Sequence, residues 1–371
     1  MIIELHVLQN FAPANLNRDD TNSPKECMFG GYRRARISSQ CIKHSVREYF
    51  KKNELVEIDD LGVRTKGLVN EVVSQLVATG KAEEKARSAT IKAVEAIGKL
   101  KLDKEKTQYL LFLGRREIKG VAAVIESNWQ LLTAATDKDK KLDKQFETVG
   151  KAVLSALNGG KAVDIALFGR MLADLPDQER DAACQVAHAI STHKVGIEFD
   201  YYTAMDDLQP KSESGASMMG TVEFDSACFY RYSNIDYAQL LKNLDGDQEL
   251  AGKAIKAFIR AFVNAIPTGK QNSFAAQNPP SFVLVVARDS GAWSLTNAFS
   301  RPVWVDENGD LISKSINGLV EYWNKLVKAY GEKDIKSKIA FSLEPSSDFK
   351  DLHMVNSLEN LIGEINKSLG G

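Results

Sequence analysis

Cysteine is scarce in this chain of 371 residues: Cys27, Cys41, Cys184 and Cys228 stand far apart, and no two form a C-x-x-C pair. That spacing argues against a zinc cluster or a disulfide framework and fits reduced thiols, so the expected compartment is the cytoplasm. Net charge is nearly absent as well, with 48 Lys and Arg against 49 Asp and Glu for a total of −1. A polyanion can then be bound only where charge is locally segregated. No apolar run approaches the length of a bilayer span, and MIIELHVLQN has no basic region ahead of an apolar core. It reads as a first strand, and no membrane partner is expected.

Enzymatic signatures are missing too. The runs Asn158-Gly159-Gly160-Lys161-Ala162 and Thr268-Gly269-Lys270-Gln271 lack both the first glycine and the Ser/Thr of a Walker A loop, which excludes a phosphate cradle for NTP. His188 and His193 are five apart with no H-E-x-x-H pattern and read as residues at a helix end rather than metal ligands. The pairs Asp19-Asp20 and Asp206-Asp207 would suit Mg²⁺-dependent phosphodiester cleavage only if their carboxylates converged on the metals. Neighbouring acids on a strand point apart, and turns are their ordinary place. The expectation is a chain with no catalytic residue, no metal and no cofactor.

What is present is a mixed helix and strand pattern. Ile3, Leu5 and Val7 alternate as in a strand, and Ile42, Val46 and Phe50 then fall four apart on a helix that starts behind Ser38 or Ser39 as N-cap. From about Val63 to Asn158 the texture is alanine-rich and helical: Leu68, Val72 and Leu76, then Ala86, Ala89 and Ala93, then Ile118, Val121 and Ile125, punctuated by Gly80, Gly98 and Gly114. Strand-like composition returns at VDIALF (Val163 to Phe168), IEFDYYTAM and VEFDSACFYRY, the last two forming a long hairpin across QPKSESGASMMGT. Leu250, Ala254, Phe258 and Phe262 mark a helix that ends before Pro267; SFVLVVA is a buried strand, and helices around Leu319 to Leu326 and Leu358 to Leu369 follow. Without the helical insertion the order is strand, helix, strand, strand, helix, strand. This is an α+β chain with the split βαβ, ferredoxin-like pattern shared with RNA-recognition motifs.

Charge is concentrated in one place. Residues 33 to 52 hold Arg33, Arg34, Arg36, Lys43, Arg47, Lys51 and Lys52 against the single acid Glu48, a local +6. Gln40, Lys43, Arg47 and Lys51 fall at helical spacings on a face distinct from the apolar stripe. A row of phosphates suits that face, with hydroxyls of Ser38 and Ser39 and the amides of the helix start beside it, and a solvated basic face accounts for it equally well. In the hairpin, Tyr201, Tyr202, Phe224, Phe229, Tyr230 and Tyr232 suit base stacking or packing within a sheet. Met171 suits a wedge between bases or a core position. Lys138, Lys140, Lys141 and Lys144 are interleaved with Asp137, Asp139 and Asp143, a weak signal.

The segment LNRDDTNSPKECMFGGYRRARISSQCIKHSVR is similar to the N-terminal signature of the CasC family, the backbone subunit of the type I-E CRISPR Cascade complex. The blocks VDIALFGRM, VAHAISTHKV, YYTAMDDL, FYRYSNI and KQNSFAAQNP agree in order. The resemblance implies a hand-shaped subunit with an RNA-recognition-like palm (1–55, 161–195 and 225–371), helical fingers (56–160) and a hairpin thumb (196–224). It further implies a non-catalytic protein that polymerises with copies of itself along a guide RNA (crRNA) in a helical filament, kinks that RNA periodically and presents its bases to target DNA. Other Cascade subunits and a recruited or associated nuclease are the further implied partners; the competing reading is a metal-dependent ribonuclease backbone subunit. Guide contacts implied by matching motif are Arg18, Lys25, Ser38, Gln40, Lys43, Arg47, Arg170, Met171, Tyr201 and Tyr202. Lys138, Lys140, Lys141 and Lys144 match a DNA-capturing patch loosely.

Overall fold

The computed structural model describes residues 1–134, 144–158, 160–172, 175, 178–204, 218–305, 310–345 and 347–368. The chain divides into two compact units. Among the described residues no helix is long and apolar enough to cross a membrane.

The first unit comprises residues 1–50, 185–235 and 255–371 and is built on a mixed sheet. Its path runs His353–Met354, Ile335–Ser342, Phe282–Arg288, Ile2–Ala14, Met218–Asp236, Ala189–Ser191, Tyr32–Ile37 and Glu26–Phe29. At its centre Ile2–Ala14 lies antiparallel to Phe282–Arg288, with Ile2 opposite Arg288 and Leu8 opposite Phe282. All seven residues of Phe282–Arg288 are buried, and the six ahead of Arg288 read as an unbroken apolar run rather than an alternation. Helix Leu311–Tyr330 places Ile316, Leu319, Val320 and Trp323 in one cluster with Leu8, Phe282, Leu284 and Val286. Numbered along the chain, the strands Ile2–Ala14, Ala189–Ser191, Met218–Asp236 and Phe282–Arg288 lie in the order 4-1-3-2 across the sheet.

The edge hairpin Glu26–Phe29 with Tyr32–Ile37 has no pattern in the sequence to announce it, because both strands are short and the second is rich in arginine. Gly30 and Gly31 both take positive φ, +62° and +82°, which the tight turn between Phe29 and Tyr32 requires. A Cβ at Gly30 would come within 1.8 Å of the Ser300 carbonyl oxygen, so only glycine fits. Ile335–Ser342 is a further strand, antiparallel to Phe282–Arg288.

The second unit comprises residues 51–184 and 236–254. Helices Leu68–Ala78, Glu83–Glu95 and Arg115–Ser127 carry the three expected stripes into one core, where Val72, Leu76, Ala89, Ala93, Val121 and Ile125 are buried together with Phe146, Val149 and Val153 of helix Lys144–Ala156. The expected strand at VDIALF is instead the helix Val163–Phe168. A short run buried from Val163 to Leu167 has no polar face to reveal a period, so composition misled. Local bonds decide the matter: Ala166 N donates to Ala162 O at 2.8 Å and Gly169 N to Ile165 O at 2.8 Å, and Gly169 ends the helix at φ +78°.

Candidate nucleic-acid interface

The basic helix Ser39–Lys52 begins where the sequence placed it, and Ser38 is the cap. Its hydroxyl accepts from the Cys41 amide at 3.2 Å, and its carbonyl accepts from Ile42 N at 3.1 Å. Ahead of the helix, the loop that carries Arg18 is held against the strand Tyr32–Ile37. Asn17 Oδ1 accepts from Ser38 N at 2.8 Å, Lys25 N donates to Asn17 O at 2.8 Å, and Arg36 N donates to Lys25 O at 2.8 Å. Asp19 closes the turn by accepting from Thr21 and Ser23; the Thr21 hydroxyl bond, foremost, holds its carboxyl below the usual range. A groove of about 360 Å³ opens here, lined by Asn17, Arg18, Asp19, His44, Ser45 and Thr268 among others. Loop and helix thus gather Arg18, Lys25, Ser38, Gln40 and Lys43 within one unit, with Arg18 and Gln40 exposed and Lys25 and Lys43 half-buried.

Not all of the +6 segment faces outward. Arg34 is buried, donating to the carbonyls of Ser191 at 3.1 Å, Thr192 at 2.9 Å and Phe299 at 2.7 Å, so this cation ties the hairpin to the sheet. Arg33 pairs with Glu26 at 3.0 Å. Arg47, expected beside Lys43 on the outward face, lies among the buried residues of its helix. The segment VAHAISTHKV does not end a helix; it contributes the strand Ala189–Ser191, with His188 before it and His193 after it. His193 Nε2 accepts from Cys228 N at 3.3 Å and its Nδ1 bonds the Lys194 carbonyl, an arrangement of a neutral ring inside the fold. Among the described residues no group of three or more His, Cys, Asp or Glu is placed to hold a metal ion. Asp206 and Asp207 lie outside those residues.

The hairpin forms a two-stranded ribbon in which Glu198–Ala204 pairs with the outer half of Met218–Asp236, Tyr201 opposite Thr221 and Tyr202 opposite Gly220. Every residue of Glu198–Ala204 is exposed, including Phe199, Tyr201 and Tyr202. Tyr201 Oη donates to Met219 Sδ at 2.7 Å on one face of the ribbon, and the Tyr202 ring lies over Gly220 on the other. Further down the same strand Phe229, Tyr230, Arg231 and Tyr232 are buried in the sheet, where they pack and do not stack on a ligand.

The model of the CT1975-like protein family matches residues 3–364. The chain belongs to that family. Among solved structures, a chain described as "CRISPR RNA-guided surveillance complex, pre-nicking" is 28% identical, with a TM-score of 0.87 and 100% of both chains covered. Another, described as "CRISPR RNA-guided surveillance complex", is 24% identical with a TM-score of 0.75, covering 99% of this chain and 100% of that one, and shares the fold. No curated protein matches.

In this CT1975-like protein the G-R-M motif lies in the second unit, and its two side chains behave oppositely. Met171 is 82% exposed. Arg170 is enclosed: its Nη1 donates to both Glu117 oxygens at 2.9 and 2.7 Å, Nε to Gln178 O at 3.1 Å and Nη2 to Leu157 O at 3.3 Å. A phosphate contact through Arg170 would require it to leave these partners. Lys144 is exposed at the start of its helix, while Lys138, Lys140 and Lys141 lie outside the described residues.

Proposed function

We propose that this chain is the non-catalytic backbone subunit of a type I-E CRISPR Cascade surveillance complex, binding and polymerising along guide RNA. The observation that carries this is the end-to-end match, in both fold and sequence, to a chain of a CRISPR RNA-guided surveillance complex. The strand order 4-1-3-2 is that of a ferredoxin-like palm, a platform shared with RNA-recognition motifs. On it, Arg18, Lys25, Gln40 and Lys43 meet guide phosphates, Ser38 sets the helix start, and Arg47 stiffens the helix from its buried side. Contacts of this kind hold a strand without reading its sequence, which suits a protein that leaves recognition of target DNA to the guide's bases.

The ribbon around Tyr201 and Tyr202 serves as a thumb that reaches the next copy and its RNA. A two-stranded ribbon exposed on both faces is marginal by itself and gains from a partner. Met171, held by Arg170, acts as the wedge that interrupts base stacking. Lys144 contributes to capture of target DNA, and other Cascade subunits and a nuclease complete the assembly. The test is to purify the protein co-expressed with its neighbouring subunits and a CRISPR array. A discrete small RNA should accompany it, and complementary RNA should remain intact in Mg²⁺. Cleavage of that RNA would favour the ribonuclease reading.

A further inference from the structure

His188 lies at the head of the basic helix, against the Ser39 amide and Arg36, and nothing in the sequence marked it for binding. It is exposed, in the loop ahead of the strand Ala189–Ser191. Its Nδ1 accepts from the backbone amide of Ser39 at 3.1 Å, and Arg36 Nη1 also approaches that nitrogen, at 3.4 Å. Both partners are donors, so Nδ1 carries no proton, and the proton of the neutral ring sits on Nε2. Burial, then Arg36, then Lys25 lower the ring's pKa, which keeps it neutral at pH 7. Nε2–H is therefore a fixed, uncharged donor beside Lys25, Arg36 and the start of the helix that carries Gln40 and Lys43. The ring cannot turn to present Nδ1 instead without giving up the Ser39 amide.

We infer that His188 contacts the guide RNA directly, donating from Nε2 to a phosphate oxygen at the head of the basic helix, while its Nδ1 holds Ser39 in place. The inference rests on the guide-binding reading of this unit. Its chemistry differs from that of the surrounding lysines, because an uncharged donor adds a hydrogen bond without releasing a counterion. Removing a lysine that neutralises a phosphate lowers the salt dependence of binding by roughly 0.7 on a single strand. Removing the His188 donor weakens binding roughly tenfold or more, the worth of one hydrogen bond to a charged acceptor, at every salt concentration.

The experiment is a titration of guide-length single-stranded RNA into the wild-type chain and the His188→Asn, His188→Gln and Lys43→Ala variants over a KCl series, with melting temperatures measured alongside. Asparagine keeps an acceptor for Ser39 N–H but has nothing at the Nε2 position; glutamine restores a donor there. His188→Asn should bind more weakly by roughly tenfold or more with an unchanged salt slope and an unchanged melting temperature, His188→Gln should recover most of the affinity, and Lys43→Ala should flatten the slope. Wild-type affinity in His188→Asn, or equal weakness in the Asn and Gln variants, overturns the contact while leaving the guide-binding reading standing. Absence of salt-dependent RNA binding in the wild type overturns that reading, and the contact with it.

Discussion

Arg170 and Glu117 form an ion pair with both side chains enclosed, two hydrogen bonds of 2.9 and 2.7 Å joining one guanidinium nitrogen to the two carboxylate oxygens. Glu117 also accepts from Gly114 N at 2.7 Å, so the pair ties the head of helix Arg115–Ser127 to the turn that presents Met171. Burial pushes the Glu117 carboxyl up, and Arg170 is the chief influence opposing it.

Breaking this pair from one side leaves a buried charge alone, which costs about 3–5 kcal/mol. Arg170→Ala and Glu117→Ala should each lower the melting temperature of the RNA-free subunit sharply. Met171→Ala should leave it nearly unchanged, since a side chain 82% exposed has little packing to lose. Thermal unfolding by circular dichroism checks all three. A large loss in Met171→Ala would make that residue part of the fold and end its role as a wedge.

Lys25 and Lys43 lie on the loop and helix that one unit brings together. Replacing both with alanine should reduce the salt slope of single-stranded RNA binding by roughly 1.4, that is about 0.7 for each phosphate no longer neutralised, irrespective of RNA sequence. Filter binding between low and moderate KCl reads this directly. An unaltered slope would place the guide elsewhere.

Tyr202 covers Gly220 on an exposed ribbon. Tyr202→Ala should change stability by no more than about 0.5 kcal/mol, as surface positions do. If the ring stacks on a base, the same change should cost about 1–3 kcal/mol of RNA affinity in the assembled complex. Equal affinity of variant and wild type would assign the ring to protein contacts alone.

Asp225 offers a test of the first unit's electrostatics. Burial, with Glu26 adding to it, raises its pKa from 3.8 to about 7. Between those values the folded chain keeps a proton that the unfolded chain releases, so this group's contribution is greatest below pH 3.8 and is lost as the pH rises to about 7. Asp225→Asn removes the penalty. Relative to wild type it should be stabilised by roughly 2–4 kcal/mol more at pH 8 than at pH 4. A stability difference independent of pH would contradict the assigned environment.

Much of this was legible in the sequence where a pattern had two distinguishable faces. The stripe Ile42, Val46, Phe50 and the Ser38 cap fixed the basic helix, and Leu250 to Phe262 fixed the helix now seen as Gln248–Asn264. It failed where burial is uniform, as at Val163–Phe168, and where strands are short, as at Glu26–Phe29. Within the site, charge counting found the segment 33–52 but could not tell Arg34, spent on three carbonyls, from Arg36 and Lys43. His188 reaches Ser39 across 149 positions, a relationship that no local spacing encodes.

Polymerisation along the guide requires several copies of this chain on one RNA. Native mass spectrometry of the RNA-bound species, purified after co-expression with the neighbouring subunits and a CRISPR array, tests it most directly. The expected species holds one RNA and several copies of the chain, with copy number rising in steps as the guide is lengthened. A single copy per RNA, or a copy number indifferent to guide length, would contradict polymerisation.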